Sequence, residues 1–436
     1  MFTTSGPLLL GKRQCCMVCF SLFTVRNELI NFYSETYLKQ NQFPMTNDAD
    51  GVSGVNPITK PGATDGNREV GSLSQWQLIR LKFSKHKAAV AALYLVAVLY
   101  FVAFFAEFFA PYARDWNNID AIYHPPQVPR LSFEHGIHVT KLRLQMHPIT
   151  LSKYYIRDKG KIIPLGFFVR GEPYRLLGVI PMERRFFGVD HKKYHNSHGE
   201  DEPKPVFMFL GGDRYGRDVI SRLIYGARIS LSIGLVSIAI TFVFGIIMGG
   251  VSGYFGGKID LVIQRLIEII NSFPHLPLWL AIGAILPSDW SPLRIYFSIT
   301  LVLSFLNWTG LARVVRGKIL SLREEDYVTA ARLIGANHSR ILFRHLVPGF
   351  TSHIIVVLTL SIPAMILGET ALSFLGLGLR PPVVSWGVMM QDCLNLQVLD
   401  NYPWLLMPVI LTVLTVLSFN FLGDGLRDAA DPYASQ

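Results

Sequence analysis

Three histidines have the spacing of a possible metal site. His191, His195 and His198 lie close together, but the residues between them include two Lys and an Asn and no carboxylate. A ligating imidazole is usually oriented by a carboxylate, carbonyl or water on its other nitrogen. We therefore interpret this segment as a hydrated loop and expect no metal site.

Two Gly-Lys pairs fall short of a nucleotide-binding loop. The pattern GxxxxGK[ST] needs a hydroxyl residue after the Lys to contact Mg²⁺. Ile follows the Lys in both Gly257-Lys258 and Gly317-Lys318, and the zinc-protease pattern HExxH is absent. Gly423-Asp424-Gly425 alone does not make an intramembrane aspartyl protease. We expect no catalytic residue, no enzymatic activity and no cofactor bound by this chain.

A few polar residues interrupt long apolar segments. Glu369 lies inside one segment, Glu268 begins another and Asn307 lies in a third. Ionisable groups inside a membrane are costly and often mark a transport pathway, so all three are candidates for lining one. Glu369 could equally pair with another span for packing, and Asn307 is better explained by an interhelical hydrogen bond.

The composition is that of a membrane protein. Of the 436 residues, 50% are hydrophobic and 17% are charged, with a net charge of +10. Soluble domains average about 25% charged residues. The apolar residues come in long uncharged blocks, which indicates a lipid membrane as the solvent. In such a protein the basic excess collects on cytoplasmic loops, so we expect no nucleic acid partner.

The apolar blocks predict six membrane-spanning helices, because a span needs about 20 apolar residues. They are residues 88–110, the stretch between Arg228 and Lys258, the stretch between Glu268 and Asp289, and residues 295–312, 354–375 and 404–422. The fold class is thus an all-α polytopic membrane protein. Pro274 and Pro277 should kink the third span and Pro363 the fifth.

The distribution of Lys and Arg predicts the orientation. These residues cluster before the first span and between the second and third and the fourth and fifth spans. The bias places those loops and both termini in the cytoplasm. Residues 1–87 then form a cytoplasmic segment, 111–227 an extracytoplasmic insertion, 228–423 the remaining spans, and 424–436 a cytoplasmic tail. We hypothesise that translation starts at Met45.

The insertion is expected to be partly β. Residues 154–156, an Asp158-Lys159-Gly160 turn and residues 162–169 have the pattern of a hairpin. Residues 176–180 could add a strand. We expect this insertion to help seat an external protein or cover the outer gate.

The loop at 313–348, between the fourth and fifth spans, is predicted to be structured. Ser321 and Glu324 form a capping-box pattern that could start a helix running to Ile334. Gly335 follows, where a positive φ is common, and a second helix could run from Ser339 to before Pro348. The two helices together would present an apolar face that docks a partner. This face would contain Val328, Leu333, Ile341 and Leu342.

This loop resembles the EAA loop of ATP-binding-cassette (ABC) importer permeases. The matching pattern is Tyr327-Val-Thr-Ala-Ala-Arg-Leu-Ile-Gly335, followed by Ile341, His345 and Pro348. The resemblance implies that eight residues couple the chain to an ATPase: Tyr327, Thr329, Ala330, Ala331, Gly335, Ile341, His345 and Pro348. Thr329 stands where the family usually has Glu, so one ion pair with the ATPase would be missing.

Further blocks resemble the dipeptide/oligopeptide permease family, second (C-type) subunit. They are Gly212-Asp-Arg-Tyr-Gly-Arg-Asp218, Arg228-Ile-Ser230, Gly253-Tyr-Phe-Gly-Gly257 with Asp260, Leu372-Ser-Phe-Leu-Gly-Leu-Gly378, Ser385-Trp-Gly387, and residues 419–432. The blocks occur in the family's order, and the whole resemblance covers about residues 75–112 and 210–433.

The resemblance implies the type I importer permease fold in a bacterial inner membrane. This chain would form half of a pathway for peptides or similar small solutes, and a related first permease would complete the heterodimer. Two ABC ATPase subunits would hold ATP and Mg, and an extracytoplasmic solute-binding protein would deliver the solute. The alternative is an ATP-independent secondary transporter or channel subunit, which would leave the structured 313–348 loop unexplained.

Overall fold

The computed structural model describes residues 75–146, 148–149, 153–198, 204–287 and 289–430. Met45 and the rest of the segment before residue 75 lie outside the described residues, as does the tail after residue 430. In chain order the described helices are α1 (Gln75–Lys85), α2 (Lys87–Phe104), α3 (Ala106–Phe109), α4 (His191–His198), α5 (Val219–Phe255), α6 (Gly257–Ser272), α7 (His275–Ile285), α8 (Pro292–Leu322), α9 (Asp326–Leu333), α10 (His338–Arg340), α11 (Thr351–Phe374), α12 (Trp386–Met390), α13 (Leu396–Asn401) and α14 (Met407–Ala430).

Six membrane spans are compatible with these helices. Among the described residues, five helical runs are long and apolar enough to cross a membrane: α2, α5, α8, the run from His338 to Phe374, and the run from Pro403 to Ala430. The sixth is the pair α6 and α7, which is bent by 82° at its break. The bend follows the predicted kink, because Pro274 lies at the break and precedes the first residue of α7.

Several helices begin or end at residues other than those that the apolar pattern predicted. The first span ends at Phe104 rather than Ala110, and α3 follows as a separate turn. The second begins at Val219, before Arg228, so two arginines lie on α5. The last continues through the predicted tail to Ala430. Apolar composition marks the part of a helix that lies in lipid, whereas hydrogen bonding extends the helix beyond it.

Close packing of α5 against α8 organises the centre of the bundle. A Cβ atom added at Gly245 would meet the Leu311 side chain, and one added at Gly253 would lie 2.9 Å from the Arg316 carbonyl oxygen. Small residues at such an interface let two helix backbones approach closely. The small residues on this face of the second span therefore form a packing surface.

The insertion contains a four-stranded antiparallel sheet in the order β1 (Arg130–Ser132), β2 (Gly136–Met146), β3 (Lys153–Leu176) and β4 (Ile180–Val189). The predicted hairpin at 158–160 is wrong, because β3 continues through that turn signal. Thr140 pairs with Ile162 and Leu142 with Arg157, so residues 158–161 form a bulge opposite Lys141. The real hairpin tip is at 177–179, where a strand was expected.

Candidate functional site

The loop at 313–348, which we call the elbow, has the predicted helix–Gly–helix form with different limits. Ser321 is in the last turn of α8, and α9 starts after Glu325, which makes no side-chain cap hydrogen bond. The capping-box prediction is therefore wrong. Gly335 has φ +84°, as expected for a residue that ends a helix.

The second helix of the elbow is continuous with the fifth span. From α10 the chain passes through a π-helical turn, Ile341–Leu346, and a 3₁₀ turn, Val347–Phe350, into α11. Pro348 has no N–H for a regular helical hydrogen bond, which accounts for the irregular turns around it. A displacement of the elbow would thus act directly on a membrane span.

The apolar face predicted for the elbow is mostly internal. Val328, Ile341 and Leu342 are buried against the ends of α8 and α11. Leu333 is instead 84% exposed, and its neighbour Ile334 is 87% exposed. The surface available to a partner is the Leu333–Ile334 pair, just before Gly335.

The other predicted coupling residues divide between surface and interior. Tyr327 is 45% exposed, and Thr329, Ala330, Gly335 and Pro348 are also exposed. Ala331 and His345 are half-buried, and Ile341 is buried. The exposed members lie mainly on α9 and at its end, so α9 presents most of the exposed surface of this set.

Tyr254, at the end of α5, clamps the elbow. Its hydroxyl lies 3.0 Å from Nδ1 of His338, the first residue of α10. The Arg332 guanidinium lies 5.5 Å from the centroid of the Tyr254 ring, and Arg323 donates to the Gly253 carbonyl oxygen at 3.2 Å. The Gly253–Gly257 block, which sequence reasoning left without a role, thus holds both elbow helices.

An ion pair fixes the neighbouring turn to α8. Both guanidinium nitrogens Nε and Nη2 of Arg316 donate to the Asp260 carboxylate at 2.6 Å. Ser252 donates to the same carboxylate, and Gln264 donates to Ser252. A bidentate pair of this kind restricts orientation as well as distance. The ends of α5, α6 and α8 therefore form one braced base for the elbow, which we call the elbow end.

Glu369 is fully buried in the bundle among serine hydroxyls. Its carboxylate accepts hydrogen bonds from Ser373 and Ser385 at 2.8 Å and from Ser230 at 3.2 Å. These serines come from α11, the N-cap of α12, and α5. No ion pair to Glu369 is present among the described residues, so hydroxyl donors offset the cost of its burial.

The same serines also hold the loop that follows the fifth span. Ser230 Oγ accepts from the Trp386 backbone N–H, and Ser373 Oγ from that of Leu379. The Trp386 indole N–H donates to the Leu223 carbonyl oxygen at 3.1 Å. Three sequence blocks that are far apart in the chain, at 228–230, 372–378 and 385–387, thus meet at Glu369. Sequence spacing could not show this convergence.

The other two pathway candidates do not join Glu369. The Asn307 side-chain amide donates to the Leu303 carbonyl oxygen at 2.8 Å and to Met365 Sδ at 3.4 Å, so it links α8 to α11. This is the interhelical role favoured above. Glu268 lies exposed on α6 and pairs with Arg265 one turn away, at 2.7 Å.

A second carboxylate network lies at the opposite end of the bundle, the sheet end. Asp213 Oδ2 accepts from Arg217 at 2.7 Å, and Arg214 pairs with Asp392 at 2.9 Å. Asp218 caps α5 by accepting from the Ser221 N–H at 2.8 Å and from its hydroxyl. Burial raises the pKa of Asp218 to about 7, and its Oδ1 has no hydrogen-bond partner in the described structure.

Comparisons with known proteins follow the blocks identified in the sequence. Residues 241–436 match the family model "Binding-protein-dependent transport system inner membrane component". Residues 74–126 match "N-terminal TM domain of oligopeptide transport permease C". Neither match includes residues 127–240, which contain the sheet.

Several curated relatives are similar to this chain. The dipeptide transport system permease protein DppC of Bacillus subtilis (strain 168) is 41% identical over 231 residues, 53% of this chain and 70% of the relative. The oligopeptide transport system permease protein OppC of Escherichia coli (strain K12) is 41% identical over 225 residues, 51% and 72% of the two chains. The glutathione transport system permease protein GsiD of Pectobacterium atrosepticum is 39% identical, covering 56% and 78%.

One solved structure, of an amino acid ABC transporter with histidines, is 19% identical and covers 47% of this chain and 90% of the other, with a TM-score of 0.34.

Among the described residues, no group of three His, Cys, Asp or Glu side chains is arranged to hold a metal ion.

Proposed function

We propose that the chain, which belongs to the family of binding-protein-dependent transport system inner membrane components, forms half of the pathway of an ABC importer and couples it through the elbow to a separate ATPase. The observation that carries this proposal is the exposed Leu333–Ile334 pair on a braced base. Exposed apolar side chains on a fixed support are characteristic of a protein–protein contact.

The elbow end faces the cytoplasm in this proposal. Lys and Arg are concentrated on the elbow and on the segments near it: Lys258, Arg265, Arg313, Arg316, Lys318, Arg323, Arg332, Arg340 and Arg344. Such residues collect on cytoplasmic loops. Both termini then lie in the cytoplasm, and the insertion at 111–227 lies outside.

The transported solute is proposed to be a peptide. The relatives named for dipeptide, oligopeptide and glutathione transport all carry peptides. In this assembly a related first permease completes the pathway, two ABC ATPase subunits bind ATP and Mg, and a solute-binding protein delivers the peptide. Thr329 can donate a hydrogen bond to the ATPase where an ion pair would otherwise form; an exposed pair is worth only about 0–1 kcal/mol.

Glu369 is proposed to act through position rather than by contact with the peptide. It is enclosed by Ser230, Ser373 and Ser385 and has no exposed surface. Its hydrogen bonds link α5, α11 and the N-cap of α12, so a movement of α11 would be transmitted to the loop at 375–390. Asn307 links α8 to the same helix, and the exposed Glu268 is the weakest of the three pathway candidates.

The proposal is tested by purification and reconstitution. Tagged chain extracted from membranes in mild detergent should bring with it a second permease and a P-loop ATPase. In proteoliposomes, uptake of a labelled dipeptide or tetrapeptide should require ATP and the binding protein. Uptake by the chain alone, driven by an ion gradient, would favour the secondary transporter and overturn the importer.

A further inference from the structure

The tip of the β3–β4 hairpin consists of apolar residues. Its sequence from Leu176 to Ile180 is Leu-Leu-Gly-Val-Ile, and Val179 is 79% exposed and Ile180 53%. Leu177 itself is in the turn with φ 52°, a conformation that favours Gly, Asn or Asp. The turn geometry therefore does not explain why the residues of the tip are apolar. Contact of these side chains with another apolar surface would explain it.

The tip lies beside the first membrane span rather than beyond it. The Leu177 backbone N–H lies close enough to the Glu107 carboxylate to stabilise its charged form, and Arg185 on β4 donates to the Glu107 carbonyl oxygen at 3.4 Å. Glu107 pairs with Arg228 at 2.6 Å, and Arg228 Nε donates to the Ala103 carbonyl oxygen at 3.0 Å. Ala103 belongs to the last turn of α2. The tip is therefore level with the end of the first span, where a bilayer passes from acyl chains to headgroups.

A buried arginine holds the hairpin at this level. Arg185 on β4 donates to the Ala110 carbonyl oxygen at 2.8 Å, and its guanidinium lies 5.0 Å from the Tyr174 ring centroid on β3. Arg185 is only 3% exposed. Because this contact joins β4 to the end of α3, the hairpin is braced against the bundle.

An aromatic series continues from the span onto the hairpin. Phe101 on α2 contacts Phe109 with ring centroids 5.8 Å apart, Phe109 contacts Phe186 on β4 at 5.3 Å, and Phe186 contacts Phe168 on β3 at 5.9 Å. Both ends of the series, Phe101 and Phe168, are more than half exposed. Exposed Phe side chains beside the end of a membrane span can enter the boundary between headgroups and acyl chains.

Cations flank the apolar tip. Arg175 precedes it on β3 and Arg184 follows on β4, and both side chains are exposed. Long basic side chains beside apolar ones can reach lipid headgroups while the apolar groups enter the acyl region. The hairpin thus combines an apolar tip, an aromatic series that reaches the first span and two exposed arginines, the side-chain types of a segment at the bilayer interface.

We propose that the β3–β4 hairpin is a membrane anchor whose tip inserts into the bilayer interface next to the first span. The occupant of the surface is lipid, at the boundary between headgroups and acyl chains. With the orientation proposed above this is the outer leaflet, and that assignment alone rests on the proposed function. The insertion would then be held close to the bilayer instead of extending freely from it.

The test measures the depth of a nitroxide label in the assembled complex in lipid nanodiscs. With the four native cysteines replaced by Ser, Val179→Cys is labelled and its accessibility to oxygen and to a water-soluble nickel chelate is measured. Leu131→Cys is the matched control, because Leu131 is also apolar and 83% exposed but lies on β1, at the other edge of the sheet.

The expected result is an oxygen-to-nickel accessibility ratio several-fold higher at 179 than at 131. A nickel-rich signal at 179, or equal ratios at the two positions, would place the tip in water and overturn the proposal. Low accessibility to both reagents at 179 would show that protein covers the tip, and would also overturn it. The readout does not depend on transport, so failure of the importer proposal gives a different result.

Discussion

The elbow and the Glu369 network are opposite departures from the usual distribution of side chains. The elbow exposes Leu333 and Ile334 on a short helix at one end of the bundle. The bundle interior instead encloses a carboxylate among three serine hydroxyls. An exposed apolar pair gains stability only when a partner covers it, whereas a buried carboxylate must find its partners within the chain. The comparison separates a surface proposed to meet another protein from a network that links segments of this chain.

The largest expected effect comes from making the elbow surface polar. In Leu333→Asp combined with Ile334→Asp, the partner would have to bury two charges where it now covers apolar groups. Loss of such central contacts costs about 2–4 kcal/mol, roughly thirtyfold or more in affinity. ATP-dependent uptake and co-purification of the ATPase should fall accordingly. The control is Leu333→Met with Ile334→Leu, which should retain both uptake and co-purification of the ATPase. Equal uptake and equal co-purification in the two double variants would show that the exposed pair does not bind the ATPase.

Replacement of Glu369 should lower the stability of the bundle interior. Glu369→Leu removes the acceptor from three buried hydroxyls at about 1–3 kcal/mol each before relaxation, so we expect a loss of about 3–5 kcal/mol in stability. Glu369→Gln keeps one acceptor and should lower uptake more than it lowers assembly. Thermal unfolding in detergent and uptake in proteoliposomes measure the two effects. Glu268→Gln, on the surface of α6, is the matched control; if it destabilises the protein as much, burial is not the cause.

Asp218 tests how a buried carboxyl behaves when it has fewer donors than Glu369. Its pKa is raised to about 7, so between pH 4 and 7 the folded protein holds a proton that the unfolded chain has lost. The resulting stability is present below about pH 4 and is lost as the pH rises through about 7. We expect about 2 kcal/mol of stability to be lost between pH 5 and 7. Asp218→Asn should flatten this part of the pH profile of the unfolding midpoint, and the exposed Asp400→Asn should not.

The Asp260–Arg316 pair is expected to give the smallest effect. The pair is partly exposed, with side-chain exposures of 17% and 31%, so Asp260→Asn should lower stability by only about 1 kcal/mol. Because Asp260 braces the elbow end, uptake should fall a few-fold. The double variant with Arg316→Gln should be little worse than either single variant. Fully additive losses would mean that the two side chains act independently.

The apolar blocks predicted the membrane spans because lipid imposes a simple rule on composition. Two residue types predicted backbone features as well: Pro274 predicted the bend, because its missing N–H breaks the helix, and Gly335 predicted a positive φ. Those features are local, so the residues themselves carry the information.

Features that depend on tertiary contacts were less predictable. The elbow's apolar face was misassigned because periodicity shows which residues are apolar, not which of them α8 and α11 cover. The Asp158–Gly160 signal marked a bulge instead of a turn because β2 continues to pair on both sides of it. Glu369 was recognised as exceptional, but its serine partners lie on segments far apart in the sequence, and only the fold brings them together.

The most direct test of the central claim is a photo-crosslinker at position 334 in the assembled complex. A benzophenone amino acid replacing Ile334 should give a covalent adduct with the ATPase subunit. The same amino acid at Leu367, which is 47% exposed within the fifth span, should give none. An ATPase adduct confined to position 334 is the predicted result. Efficient assembly without any ATPase adduct at 334 would contradict the claim that the exposed pair on the elbow meets the ATPase.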